Sequence, residues 1–181
     1  MNSSSTDPTD HSPIDDFSQC HVGIVAHLNS LGQLPALLEP AARARQIAAD
    51  TVTFFRDAVY EHHAEEEREL FPAVLASVAK GVERDKVQAM VRQLTDEHRD
   101  LEQTWKRLES ALKKVAKGQA VDVNVPDIQK LVTQYRAHAQ FEEQAFLPLS
   151  QDILGRNAHH MAALGLSLHM RHTTLPVKGY V

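Results

Sequence analysis

The chain has 181 residues, a net charge of -5 at neutral pH and a single cysteine, Cys20. One cysteine excludes an intramolecular disulfide framework, an iron–sulfur cluster held by thiolates alone and a zinc ribbon. The negative charge argues against binding to nucleic acid or to an anionic membrane. The unusual number is eleven histidines, because histidine is the commonest metal ligand and a proton carrier at neutral pH.

The N-terminal region has no features of a targeting segment. Residues 1–13 are rich in Ser, Thr, Asp and Pro, which predicts a flexible arm. The first basic residue is Arg43, whereas signal and transit peptides begin with basic residues. No apolar stretch approaches the roughly 20 residues that cross a bilayer. We therefore expect a cytoplasmic protein.

Helix-forming residues dominate the rest of the chain. Four long helices and one short helix are predicted, in chain order, at 15–39, 40–80, 82–117, 126–149 and 157–172. Pro40 suits the first turn of the second helix. Gly81 and Gly118 suit the ends of the second and third helices.

Along the third helix, apolar residues recur at steps of three and four. They form a stripe with one histidine in it: Val87, Val91, Leu94, His98, Leu101, Trp105, Leu108 and Leu112. Four long helices with short connections predict an all-α fold, an up-down-up-down four-helix bundle with an additional short C-terminal helix. The expected bundle covers residues 14–155, between the arm and a C-terminal helix and tail at 156–181.

The second and fourth helices share the pattern H-x-x-x-E-E-x-x-[LF]-[FL]-P. In the second helix it runs from His62 to Pro72, and in the fourth from His138 to Pro148. Each copy places a histidine four residues before a glutamate, Glu66 or Glu142. Residues four apart lie on one face of a helix, one turn apart.

The first and third helices repeat as well. His21 and His98 are each followed by apolar residues at steps of three, seven and ten. His21 precedes His62 by 41 residues, and His98 precedes His138 by 40. The sequence therefore predicts a tandem repeat of one helical hairpin, related by an approximate two-fold axis.

Together the repeats place four histidines and two carboxylates inside an apolar bundle, where their burial without a cation would be very costly. The symmetric arrangement is two metal ions, each with two histidines, joined by Glu66 and Glu142. Imidazole and carboxylate ligands suit iron, manganese or zinc and not copper(I). Bridging carboxylates and vacant positions favour two non-haem iron ions with a bridging oxide or hydroxide. Such a site has room for O2, NO or peroxide.

Three neighbouring residues have alternative roles. His63 and Glu67 form a rival pair at the same spacing, but the repeat favours His62, because Ala139 stands opposite His63. Glu102, one turn after His98, is either an additional ligand or hydrogen-bond acceptor, or the partner of Lys106 in a surface ion pair. Tyr135, one turn before His138, either bonds near the bound ligand or packs in the core.

These motifs make the sequence similar to the hemerythrin-like family, also called the HHE cation-binding domain, over residues 16–149. The resemblance implies a four-helix bundle with a non-haem di-iron site. Its ligands would be His21, His62, Glu66, His98, His138 and Glu142.

The chain departs from the invertebrate oxygen carriers of that family in two ways. It lacks their second histidine on the third helix, because Leu94 and Glu102 flank His98, and Glu142 replaces their aspartate. It thus resembles bacterial hemerythrin-like proteins and iron-centre repair proteins. A ferritin-like oxidase would need Glu-x-x-His, and no glutamate of this chain precedes a histidine by three.

The expected function is binding of O2 or a related small molecule, for oxygen binding, sensing or stress protection. We expect a binding protein more than an enzyme, with a small diatomic ligand as partner and a monomeric or homodimeric state. The alternatives are an iron-centre repair or iron-donor protein, a di-iron redox enzyme acting on NO or peroxide, and a binding module with a structural metal. The chain lacks the paired-cysteine domain of the repair proteins.

Overall fold

The computed structural model describes the backbone of residues 13–156 and the side chains of residues 19–156. This range is 91% helical and contains no strand, in agreement with the all-α prediction. The predicted arm up to residue 12 and the predicted C-terminal helix at 157–172 lie outside the described residues.

Six α-helices and three π-helical segments follow one another along this range. In chain order they are α1 Pro13–Phe54, π1 Phe55–Val59, α2 Tyr60–Glu65, π2 Glu66–Leu70, α3 Phe71–Ser77, α4 Val82–Ala116, α5 Val125–Phe141, π3 Glu142–Phe146 and α6 Leu147–Gly155. Adjoining segments merge, so the described chain forms three long helical stretches.

The predicted boundary between a first and a second helix is not present. Pro35 and Pro40 lie inside α1, which continues to Phe54. A proline inside a helix costs roughly 3 kcal/mol, because it removes one hydrogen bond and crowds a carbonyl. Alanines follow Pro40 and no glycine stands there to end a helix, so helix propensity favours continuation.

The chain divides into two compact units after Gln46. In the described part of the first unit, His21 and apolar residues that follow it, such as Leu28 and Leu31, are exposed. In the second unit α4 packs against α5, and α3 packs against α4 and α6. The four-helix bundle itself stays a prediction.

The second unit contains two clusters of buried apolar side chains. The first consists of Leu70, Phe71, Val74, Val78, Val87, Met90, Leu94, Phe146, Ile153 and Leu154. The second consists of Phe55, Val59, Leu101, Trp105, Leu108 and Leu131. On α4, Leu94 belongs to one cluster and Leu101 to the other, and His98 is fully buried between them. A polar layer therefore lies between two apolar layers.

Turn residues fix the ends of α4 and α5. Gly81 precedes α4 with a φ of 104°, and Gly118 follows it with a φ of 69°, a backbone conformation that favours glycine. The Asn124 side chain accepts a hydrogen bond of 3.0 Å from the backbone N–H of Asp127, capping α5. Asp127 in turn accepts two hydrogen bonds from Arg107 of α4, each 3.1 Å long. The predicted stop at Gly118 is confirmed, whereas the second predicted helix ends earlier than expected, at Ser77, and Gly81 instead caps the start of α4.

No helix of the described range is both long enough and apolar enough to cross a membrane.

We expect Trp105→Ala to lower the free energy of unfolding by about 3–5 kcal/mol. Trp105 is 1% exposed and its ring stacks on that of Phe55, with centroids 3.9 Å apart. Urea unfolding of the metal-free protein measures the loss. The control is Val132→Ala, at a site 44% exposed, which should change stability by less than about 0.5 kcal/mol. Equal losses for the two variants would contradict the assignment of Trp105 to the core.

Candidate metal centre

Five of the buried polar side chains bring possible metal-binding atoms together in the layer between the two apolar clusters. They are His63, Glu66, His98, His138 and Glu142, with exposures of 1%, 6%, 0%, 2% and 6%. Their donor atoms form two overlapping groups, and within each group all the atoms lie within 4.8 Å of one another. One group joins the three histidines. The other joins His98 and His138 with both glutamates.

Both carboxylates stand at the first residue of a π-helical segment, Glu66 in π2 and Glu142 in π3. In each segment the carbonyl of that glutamate accepts a hydrogen bond from the N–H five residues later. The next residue is a proline, Pro72 or Pro148, which has no N–H to donate. The two copies of the sequence motif therefore share one backbone irregularity, of a kind frequent at functional sites.

The three buried histidines are oriented in the same way. In each, Nδ1 lies at hydrogen-bond distance from a glutamate on a neighbouring helical segment. The pairs are His63 with Glu102 at 3.3 Å, His98 with Glu67 at 2.9 Å and His138 with Glu97 at 2.9 Å. A neutral imidazole that donates from Nδ1 to a carboxylate keeps a lone pair on Nε2, as metal-ligating histidines do.

The inward-facing atoms of the cluster make no hydrogen bond to the described residues. These atoms are His63 Nε2, His98 Nε2, His138 Nε2, Glu66 Oε2 and Glu142 Oε1. Leaving buried polar atoms unsatisfied costs about 1–3 kcal/mol each. Metal ions bound within the two groups would satisfy these atoms, so the nitrogen and oxygen donors present here fit a metal centre.

The pKa values of the two buried carboxyl groups are shifted in opposite directions. Burial and the charge of Glu66 raise the pKa of Glu142 to about 9. Burial also acts to raise the pKa of Glu66, but His98 and His62 outweigh it and leave that pKa below its ordinary value. Burial and the neighbouring His98 lower the pKa of His63 to about 2. At neutral pH the metal-free cluster therefore holds neutral imidazole at His63 and one proton on its carboxyl pair.

A pocket of about 280 Å³ lies beside the carboxylates. Its lining includes Glu65, Glu66, Glu142, Glu143 and His62. Glu66 and Glu142 thus stand beside a space large enough for small molecules and ions.

Tyr135 also lines the pocket, and its ring centroid is 5.8 Å from that of His138. Burial and the charge of Glu142 raise the pKa of Tyr135 to about 12. Its hydroxyl therefore keeps its proton and offers a donor at the pocket.

The structure brings four of the six predicted ligands together in the buried cluster: Glu66, His98, His138 and Glu142. The side chain of His62 is 43% exposed, with Nε2 3.5 Å from Oε1 of Glu66. His21 lies in the first unit and is exposed. The ligand roles of His62 and His21 stay predictions.

His63 takes a place in the cluster that the repeat did not assign to it. Its counterpart in the fourth predicted helix is Ala139, whereas the counterpart of His62 is the buried His138. The two copies differ upstream, where π1 interrupts the first copy and α5 is uninterrupted up to Phe141. His63 is 1% exposed, whereas the side chain of His62 is 43% exposed. Glu66 nevertheless stays in register with Glu142, and both are buried.

The position of Glu102 in the sequence was the feature that could have indicated the buried place of His63. It stands one turn after His98 on α4 and bonds His63 across the helices, while Arg99 Nη1 lies 3.7 Å from it. Glu67, the sequence partner considered for His63, instead bonds His98. The acceptor role proposed for Glu102 is therefore observed, with His63 as its partner.

Comparison with known proteins agrees with this centre. A family model of the hemerythrin HHE cation-binding domain matches residues 12–150. The chain belongs to the hemerythrin HHE family. It is also 28% identical over 158 residues to an uncharacterized protein of Haemophilus influenzae, covering 83% of this chain and 88% of the relative. No solved structure matches the chain. The family and the histidine–glutamate cluster together indicate a metal-binding domain, and the family implies that the metal is iron.

Glu142→Gln should remove a pH dependence from the stability of the metal-free protein. The pKa of Glu142 rises from an ordinary 4.5 to about 9 on folding. Its contribution to stability is therefore fully present below pH 4.5 and is lost as pH rises toward 9. The expected slope over that window is about 1.4 kcal/mol per pH unit. The neutral glutamine should flatten it.

Urea unfolding from pH 5 to 9 in the presence of a chelator measures this slope. Glu143→Gln is the matched control, since the neighbouring Glu143 is exposed and should leave the slope of the native protein unchanged. Parallel curves for the native protein and Glu142→Gln would show that Glu142 is not the protonated member of the pair.

Proposed function

We propose that this protein is a non-haem di-iron protein that binds O2 or a related small molecule, NO or peroxide, at a carboxylate-bridged site. Oxygen binding, sensing or protection from oxidative and nitrosative stress are the roles that follow. The observation that carries the proposal is the convergence of five buried donor atoms without hydrogen-bond partners among the described residues. Membership of the HHE family supports iron as the metal.

Glu66 has the position that a bridging ligand needs. Its Oε1 lies 3.5 Å from Nε2 of His62 and its Oε2 lies 3.3 Å from Nε2 of His98. The two oxygens of one carboxylate thus face two different imidazoles. Glu142 Oε1 lies 3.6 Å from Nε2 of His138. The two irons would be held by Glu66 and Glu142 together with the imidazoles of His62, His98, His138 and His21.

When bound, iron would supply redox chemistry and open coordination positions for a small ligand. The chain itself orients the metal ligands, gives small molecules access to the site and keeps bulk water away from it. Glu67 and Glu97 hold the Nδ1 protons of His98 and His138 and so keep the two Nε2 atoms directed inward. The pocket beside Glu142 admits small molecules, and the two apolar clusters on either side keep bulk water from the donor atoms.

The second candidate function is iron donation or repair, or redox chemistry on NO or peroxide. The acidic lining of the pocket favours it, because four glutamates stand there: Glu65, Glu66, Glu142 and Glu143. Carboxylates at a pocket attract cations and give iron a route between the buried site and an acceptor. A cytoplasmic location and a monomeric or homodimeric state belong to both proposals.

Metal analysis of protein expressed in iron-supplied cells tests the proposal. We expect two irons per chain in the native protein and less than one in His98→Ala, because His98 belongs to both groups of donor atoms. The matched control is His27→Ala, at an exposed histidine of the first unit, which should retain both irons. One zinc per chain, or no metal, in the native protein would contradict the di-iron site.

Visible spectra after anaerobic reduction and addition of O2 separate the two functions. A distinct species that persists and reverses when O2 is removed is the result expected for a binding protein. Immediate return to the oxidised spectrum would favour the redox or repair function.

A further inference from the structure

We propose that His63, positioned by Glu102, is a metal ligand of the centre. The buried cluster then contributes three imidazoles, those of His63, His98 and His138, of which the repeat supplies only His98 and His138. This inference rests on the proposed function in one respect, namely that the buried cluster holds a metal ion.

The first argument is the geometry of the three imidazoles. The ring of His63 is parallel to that of His98, with centroids 4.0 Å apart, and its centroid is 5.8 Å from that of His138. The donor nitrogens of the three lie within 4.8 Å of one another. A metal ion lies in the plane of an imidazole that binds it, about 2.0–2.1 Å from the nitrogen. The parallel rings of His63 and His98 therefore direct their lone pairs side by side into the same layer of the cluster.

The second argument is the pairing of the two nitrogens of His63. A buried histidine that only fills the core is expected to satisfy both nitrogens within the protein. Here Nδ1 is bonded to Glu102, whereas Nε2 is buried and makes no hydrogen bond to the described residues. The imidazole is therefore held from outside the cluster and directs its lone pair inward, as a ligand supported by a carboxylate does.

The third argument is the asymmetry that His63 introduces. Because Ala139 is its counterpart in the repeat, only one half of the motif has this additional imidazole. One side of the cluster is formed by the nitrogens of His63, His98 and His138, and the other also has the carboxylates Glu66 and Glu142. The two metal positions then differ in their donors. The additional imidazole nitrogen suits a divalent ion of borderline softness, such as Fe2+, Co2+ or Zn2+.

Titration of the full-length metal-free protein with Co2+ under anaerobic conditions tests the role of His63, because the visible bands of Co2+ report its ligands. The variants are His63→Gln, its sequence neighbour His62→Gln and Glu102→Gln. We expect His63→Gln to alter the visible bands and to weaken Co2+ binding at least tenfold. Glu102→Gln should alter the same bands and weaken binding about 10–100-fold, while the urea unfolding curve of the metal-free protein changes little.

The outcomes for the three variants decide separately on the role of His63 and on the proposed metal centre. Native affinity and native bands in folded His63→Gln, with the loss confined to His62→Gln, would overturn the role of His63 and leave the proposed function intact. If His63→Gln does not fold, Glu102→Gln decides, and native bands in it would overturn the inference. Absence of Co2+ binding by the native protein would overturn this inference and the proposed metal centre together.

Discussion

The burial of two carboxyls and three imidazoles between apolar clusters is the constraint on which this structure depends. Leu94 and Leu101 place apolar layers on either side of His98, so the donor atoms are shielded from water and their hydration must be replaced. Burial of polar groups is costly unless they are paired, and here the inward atoms have no hydrogen-bond partners among the described residues. The metal-free protein retains this cost in its free energy of unfolding, and a bound metal ion removes it and stabilises the folded state.

The contacts that orient the donors also join the helices. Glu97 and Glu102 extend from α4 to His138 of α5 and His63 of α2, and Glu67 of π2 extends back to His98. Each carboxylate–imidazole pair thus links two helical segments while it fixes the direction of an Nε2 lone pair. The packing of the second unit and the formation of the metal centre therefore depend on the same contacts. A change that shifts α4 should disturb all three imidazoles.

Much of this centre was predictable from spacing alone. Glu66, Glu142, His98 and His138 follow from two copies of one motif and from the apolar stripe of α4, because positions three and four apart share a helical face. Gly118 likewise predicts the C-terminal end of α4. The position of His63 was not predictable from the repeat, because the repeat pairs it with Ala139 and π1 interrupts only the first copy. Spacing between motifs does not reveal a π-helical segment. The continuity of α1 through Pro40 was missed because proline is typical of the first turn of a helix, whereas here it lies inside one.

Anomalous X-ray diffraction at the iron absorption edge shows whether the buried cluster holds two iron ions, as we propose. Crystals of the protein loaded with iron should show two anomalous peaks between the apolar clusters, each within bonding distance of Glu66 or Glu142. Peaks confined to histidines outside this layer, or no peak beside these two carboxylates, would show that the cluster is not a di-iron centre.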